Sequence, residues 1–234
     1  MASVVSYIVL LTVLATIATA QEKVKVSVYF ESYCPDSVKF LTKQLYPVFA
    51  GPMGQYLNLT LVPYGKATTT REDSNVTFVC HHGEKECKGN KVIACVLDES
   101  ISFADQFKFI NCTSSIIASN PKKEDYPVNE CVSGSLTVEK VSGCAAGQEG
   151  SKLLDMYGNM TTAMFPNNLQ NVPTIVFGDK FVKADHDAAV SDFRKALCSK
   201  IPGTKPAECS KNGASGLQAA ILPLLFAVYV VSRV

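Results

Sequence analysis

The residues best suited to chemistry are the nine cysteines, and one of them stands apart. Cys34 opens the run Cys34-Pro35-Asp36-Ser37, where the apolar segment ending at Phe30 gives way to Val38, Phe40, Leu41, Leu45 and Val48 at roughly helical spacing. A thiol at a strand-to-helix junction faces unpaired backbone N–H groups and the positive end of the helix dipole. Both favour the thiolate, which is the form that attacks disulfides. Asp36 suits the first helical turn but sets a negative charge beside that thiolate, so the two effects oppose each other.

An odd count leaves one cysteine over. With Cys34 set aside, Cys80, Cys87, Cys95, Cys112, Cys131, Cys144, Cys198 and Cys209 can close four bridges, whose connectivity stays open at this level. Parity alone does not single out Cys34, and a structural pairing of it is the competing reading. Zinc on the Cys80, Cys87 and Cys95 thiols is disfavoured. Their spacing exceeds the usual two to four residues between ligands, and an exported chain oxidises paired thiols. No metal site and no organic cofactor are expected. His81 and His82 read as hydrogen-bonding residues of a disulfide-rich loop, with pH sensing as the sharper alternative, and His186 reads as a surface residue.

Export is indicated by the apolar run from Val4 to Ile17 closed by Ala18-Thr19-Ala20, which reads as a signal peptide over residues 1–20. Asn58, Asn75, Asn111 and Asn159 are Asn-x-Ser/Thr glycosylation acceptors, the third weakened by Cys112. The tail at 217–234 is apolar from Leu217 to Val231 except for Gln218, shorter than the about twenty residues a span needs, and interrupted by Pro223. It reads either as a lipid-anchor signal with attachment near Ser210 to Gly213 or as a short membrane anchor. A net charge of +1 without a basic stripe argues against nucleic acid as a partner.

Stepping along the mature chain, Val24 to Phe30 alternates and then turns continuously apolar, as a strand entering a covered sheet does. The helix that follows Cys34 is expected to stop at Pro47 and Gly51-Pro52, and Leu57 to Tyr64 alternates as a second strand. Residues from about 65 to 166 carry six of the cysteines and read as a helical and looped insertion. The sheet resumes with Val172-Pro173-Thr174-Ile175-Val176-Phe177, Phe181-Val182 follows, and a helix is expected from about Asp187 to Leu197. Residues 202–216 read as a linker, so the domain proper runs from 21 to 201. Taken alone, Pro173 is an ordinary strand-start proline.

The run from Cys80 to Cys95 resembles the signature C-Q-H-G-x-x-E-C-x-x-N-x-x-x-x-C of the gamma-interferon-inducible lysosomal thiol reductases. Cys80, His82, Gly83, Glu86, Cys87, Asn90 and Cys95 match, and His81 stands where the family has Gln. The resemblance extends from about Val24 to Cys198. It implies an α/β, thioredoxin-like sheet with a cysteine-rich, mainly helical insertion, and reduction of protein disulfides in acidic compartments. It makes Cys34 the nucleophile, places Pro173 as a cis-proline facing it, and lets Val172 and Thr174 shape substrate access. The family's second active-site cysteine is replaced by Ser37.

Ser37 cannot resolve a mixed disulfide, and the sequence leaves three readings. Cys34 runs a monothiol cycle resolved by an external thiol such as cysteine or glutathione, at reduced activity. Alternatively, the protein binds disulfide-containing clients without turnover, as a redox-silent adaptor. In the third reading another cysteine resolves. The destination is lysosomal or extracellular, with membrane attachment through the tail left open.

Overall fold

The computed structural model describes residues 22–72 and 75–210; the signal-peptide segment and the apolar tail lie outside them. A central strand, β1 (Val24–Phe30), pairs in parallel with β2 (Leu57–Pro63) and antiparallel with β5 (Thr174–Phe177). Val26, Val28 and Phe30 enter one apolar cluster with Phe40, Leu41, Leu45, Phe107 and Phe193, while Tyr29 enters a second with Val62, Leu154, Tyr157 and Val176. Both faces of the strand are therefore covered, which is why its inner half reads as apolar at every position except Ser27. The result is a thioredoxin-like α/β fold with a helical insertion.

After Cys34 the chain forms α1 (Pro35–Phe40), a π turn at Leu41–Leu45, and α2 (Tyr46–Ala50). The expected stop at Pro47 does not occur. Pro47 falls in the first turn of α2, where a missing N–H is tolerated, and the wider π turn before it makes room for the ring. Gly51, with extended backbone, ends the helix, and Pro52 opens a 3₁₀ turn over Pro52–Tyr56.

The insertion contains α3 (Glu84–Asp98), α4 (Phe103–Ser119), α5 (Val128–Cys131), α6 (Val138–Ala146) and α7 (Gln148–Met164). It also contains an antiparallel hairpin, β3 (Thr68–Glu72) with β4 (Asn75–Val79), in a stretch the periodicity assigns to helix and loop. Both faces of β3 are largely exposed, so no apolar alternation marks it; its β-branched threonines were the only cue.

The late helix is two helices, α8 (Lys183–Ser191) and α9 (Phe193–Lys200), rather than one over 187–197. Asp192 breaks them, its side chain accepting a hydrogen bond from the Lys195 N–H at 2.9 Å as the N-cap of α9. Phe181 and Val182 form no strand. The first part of the expected linker runs back over α9, where Cys209 bridges to Cys198.

All nine cysteines lie among the described residues. Four bridges close, Cys80–Cys87, Cys95–Cys144, Cys112–Cys131 and Cys198–Cys209, and Cys34 is free. The second joins α3 to α6 across 49 residues and the fourth spans 11. Chain-entropy arguments assign them about 4 and about 3 kcal/mol. Replacing Cys95 and Cys144 together by Ala should therefore lower the urea midpoint more than replacing Cys198 and Cys209; equal losses would contradict this ordering.

Candidate active site

Cys34 is the N-cap residue of α1, with extended backbone (φ −67°, ψ 120°), and Pro35 occupies the first turn. Its position satisfies two requirements. A cap residue need not be helical, and the proline after it has no N–H to leave unpaired. The Val172–Pro173 peptide bond is cis, and it presents the Val172 carbonyl oxygen 3.7 Å from Cys34 Sγ, within reach of an S–H donor. Residues 138 apart in sequence thus meet at the end of the sheet. Cys34 is 7% exposed and belongs to a buried cluster with Tyr29, Leu169 and Val172.

What places the Cys34 loop is the first half of α3. The Ser32 N–H donates to Asn90 Oδ1 at 2.9 Å, and Ser32 Oγ donates to the Glu86 carbonyl oxygen at 3.2 Å. All three residues are buried. Gly89 permits the approach, since a Cβ there would lie 2.5 Å from Ser32 Oγ and 2.8 Å from the Tyr126 ring. The Cys80–Cys87 bridge fastens this helix start to the end of β4, and Gly83, at φ +82°, makes the turn between them. The signature positions Gly83, Glu86, Cys87 and Asn90 are in this way parts of one brace.

Ser37, which the family resemblance sets where a resolving cysteine would stand, is fully buried and accepts a hydrogen bond from the Glu31 N–H at 3.4 Å. The Glu31 side chain is buried as well. Its Oε1 accepts from the Lys66 N–H at 2.8 Å, while Oε2 has no hydrogen-bond partner and lies 3.4 Å from His82 Nδ1 and 3.5 Å from His81 Nδ1. Glu86 accepts from the His82 N–H at 3.0 Å and pairs with His82 Nδ1 at 2.6 Å. Burial pushes the Glu86 carboxyl up, the Glu31 carboxylate adds to this, and the two contacts from His82 pull it back.

Two clefts flank α1. A groove of about 380 Å³ is lined by Asp36, Lys39, Asn171, Val172, Pro173 and His186. An apolar pocket of about 190 Å³ on the other side is lined by Tyr33, Pro35, Val38, Ile117 and Pro121. Burial, with Glu124 and Asp125 adding, pushes the Tyr33 hydroxyl up to about 12, so the ring is a neutral wall. Thr174 is buried and its hydroxyl donates to the Asn171 carbonyl at 2.6 Å, so its side chain holds the cis turn while Val172 and Pro173 line the groove.

His186 is not the surface residue expected. Its Nδ1 accepts from the Ile175 N–H at 3.3 Å, and burial holds its pKa below the ordinary value. A lone histidine on an amphipathic helix gives no sequence signal for this. Of the glycosylation acceptors, Asn58, Asn75 and Asn159 are exposed and Asn111 is half-buried. Asn159 also accepts from Arg71 at 2.9 Å.

A cis-proline strand facing a free cysteine at a helix N-cap defines a thioredoxin-fold domain of the thiol-disulfide oxidoreductase type. Solved structures agree on the fold: oxidised BdbD of Bacillus subtilis (TM-score 0.51, 16% identity, 74% of this chain and 87% of that one) and the thiol-disulfide oxidoreductase MdbA of Actinomyces oris (TM-score 0.51, 15% identity, 79% and 83%). Residues 25–135 match the family described as gamma interferon inducible lysosomal thiol reductase (GILT). GILT-like protein 1 of Drosophila melanogaster is 36% identical over 218 residues, covering 88% of this chain and 86% of the relative. The gamma-interferon-inducible lysosomal thiol reductase of Mus musculus is 32% identical over 188 residues, covering 80% and 72%. The chain belongs to the GILT family, and with it to the thiol-disulfide oxidoreductases.

The brace can be tested without touching the thiol. Asn90→Ala leaves the Ser32 N–H unpaired, which should cost about 1–3 kcal/mol in urea unfolding and speed alkylation of Cys34 in the native state. Unchanged stability and alkylation would show that Asn90 does not hold the loop.

Proposed function

We propose that the protein reduces or exchanges disulfides of exported proteins through Cys34 alone, with an external small thiol closing the cycle. The observation that carries this is the pairing of the other eight cysteines, which leaves Cys34 as the sole free thiol, beside a buried Ser37. The Cys34 thiolate attacks one sulfur of the client disulfide, forming a mixed disulfide and expelling the other client sulfur as a thiolate. A cysteine or glutathione thiolate then attacks the client sulfur of that bond and returns Cys34. A second small thiol frees the client, so two small thiols are oxidised for each disulfide reduced. Alternatively, the freed client thiol attacks a second disulfide of the client, the thiol released there attacks the client sulfur of the mixed disulfide, and Cys34 leaves with the client's bridges rearranged.

The surroundings support a protein client. The groove beside Pro173 and the pocket beside Pro35 lie on either side of the first turn of α1, where an extended segment carrying the disulfide can lay side chains. Four disulfides support an oxidising compartment, and with the glycosylation acceptors they fit passage through the secretory pathway to a lysosomal or extracellular destination. Among the described residues no helix is long and apolar enough to cross a membrane, so attachment through the tail at 217–234 rests on its composition. The 7% exposure of Cys34 favours a second reading, retention of clients without turnover.

Insulin reduction followed with added cysteine separates the two. Cys34→Ser should abolish the reaction, and Ser37→Cys should raise its rate several-fold and reduce its dependence on the small thiol. Equal rates for wild type and Cys34→Ser would remove Cys34 as the nucleophile, and no turnover by wild type at any thiol concentration would favour the adaptor reading.

A further inference from the structure

Glu31, His81 and His82 bring three donor atoms, all within 4.8 Å of one another, to one point at the end of β1. The arrangement is more than a charged cluster. Glu31 is fully buried, its Oε1 is fixed by the Lys66 N–H, and its Oε2 is aimed at both imidazoles without a hydrogen bond of its own. Gly65, at φ +60°, closes the cradle, since a Cβ there would lie 2.1 Å from Glu31 Cγ. A buried carboxylate oxygen left in this way is costly unless something positive meets it.

The geometry points to a binding site for a divalent cation of the zinc class, held by Glu31 Oε2, His81 Nδ1 and His82 Nδ1. Zinc takes imidazole nitrogen and carboxylate oxygen at about 2.0–2.2 Å, so two donors on a tetrahedral ion sit about 3.3–3.5 Å apart. The separations of 3.4 and 3.5 Å from Glu31 Oε2 to the two histidines match that edge. Glu86 Oε2 contacts the same His82 Nδ1 at 2.6 Å and stands outside this group of three, so binding would exchange that contact for the ion and water would complete the coordination. Lys66 then acts from outside the site by orienting the Glu31 carboxylate. Thiols take no part, which distinguishes this site from zinc on the bridged cysteines. A bound ion would cross-link the His81-His82 turn to the end of β1, three residues before Cys34. The inference does not depend on the reading of Cys34.

His81 is about half exposed, and the family signature carries Gln in its place, so His81→Gln tests the site without threatening the fold. Untagged, disulfide-intact protein titrated with Zn²⁺ in a calorimeter should bind one equivalent. Cys34→Ser should retain it, His81→Gln should weaken it at least tenfold, and Glu31→Gln should abolish it. Co²⁺ should give the intense visible absorption of a four-coordinate ion in wild type and lose it in His81→Gln. Absence of Zn²⁺ binding, binding unchanged by His81→Gln, or binding lost with Cys34 would each overturn the assignment.

Discussion

The site depends on one hydrogen bond across the base of the insertion, from the Ser32 N–H to Asn90 Oδ1. Ser32 lies between the last strand residue and the cysteine, where the backbone leaves the sheet and has no ladder partner. Without a buried acceptor there, the loop would have to turn that N–H to solvent and carry Cys34 away from the Val172 carbonyl. Asn90 supplies the acceptor from the second turn of α3, and the Cys80–Cys87 bridge and Gly83 fix where that turn starts. The insertion is therefore part of the scaffold that holds Cys34. It sets the loop from behind while the cis peptide sets it from in front.

In the proposed mechanism, Ser37 in place of a resolving thiol changes the cycle more than the structure. The hydroxyl accepts a backbone N–H from Glu31 and is shut from solvent, so it fills the position without exchange chemistry. In the proposed cycle, a mixed disulfide at Cys34 would have no internal route of escape, and its lifetime would be set by the supply of small thiols or by a second thiol on the client. Under the proposed cycle, the protein would work as a reductase where small thiols are plentiful and hold its client where they are scarce. The partial burial of Cys34 adds a requirement that the client disulfide be brought into the cleft beside Pro173.

Much of this was legible from residue order. Cys34 at a strand-to-helix junction, Val172-Pro173 opening a late strand, and the odd cysteine count all refer to local pattern or parity, which a sequence carries directly. What remained hidden depends on contacts between distant residues. Asn90 is a recognisable signature position, but its partner Ser32 is 58 residues away. The bridge connectivity, the seat of His186 against Ile175, and the buried Oε2 of Glu31 beside two histidines are of the same kind. The misread elements have local causes. The β3–β4 hairpin is too exposed to alternate, Pro47 is accommodated by a π turn, and the cap at Asp192 was masked by a continuous helical pattern on either side.

The central claim, that a single sulfur carries the exchange, is tested most directly by trapping the intermediate. Wild-type protein incubated with a disulfide-bonded peptide in the absence of small thiols, then acid-quenched and mapped by mass spectrometry, should carry the peptide on Cys34 and lose it when cysteine is added. A peptide found on any of the other eight cysteines, or a Cys34 that stays unmodified, would contradict the account.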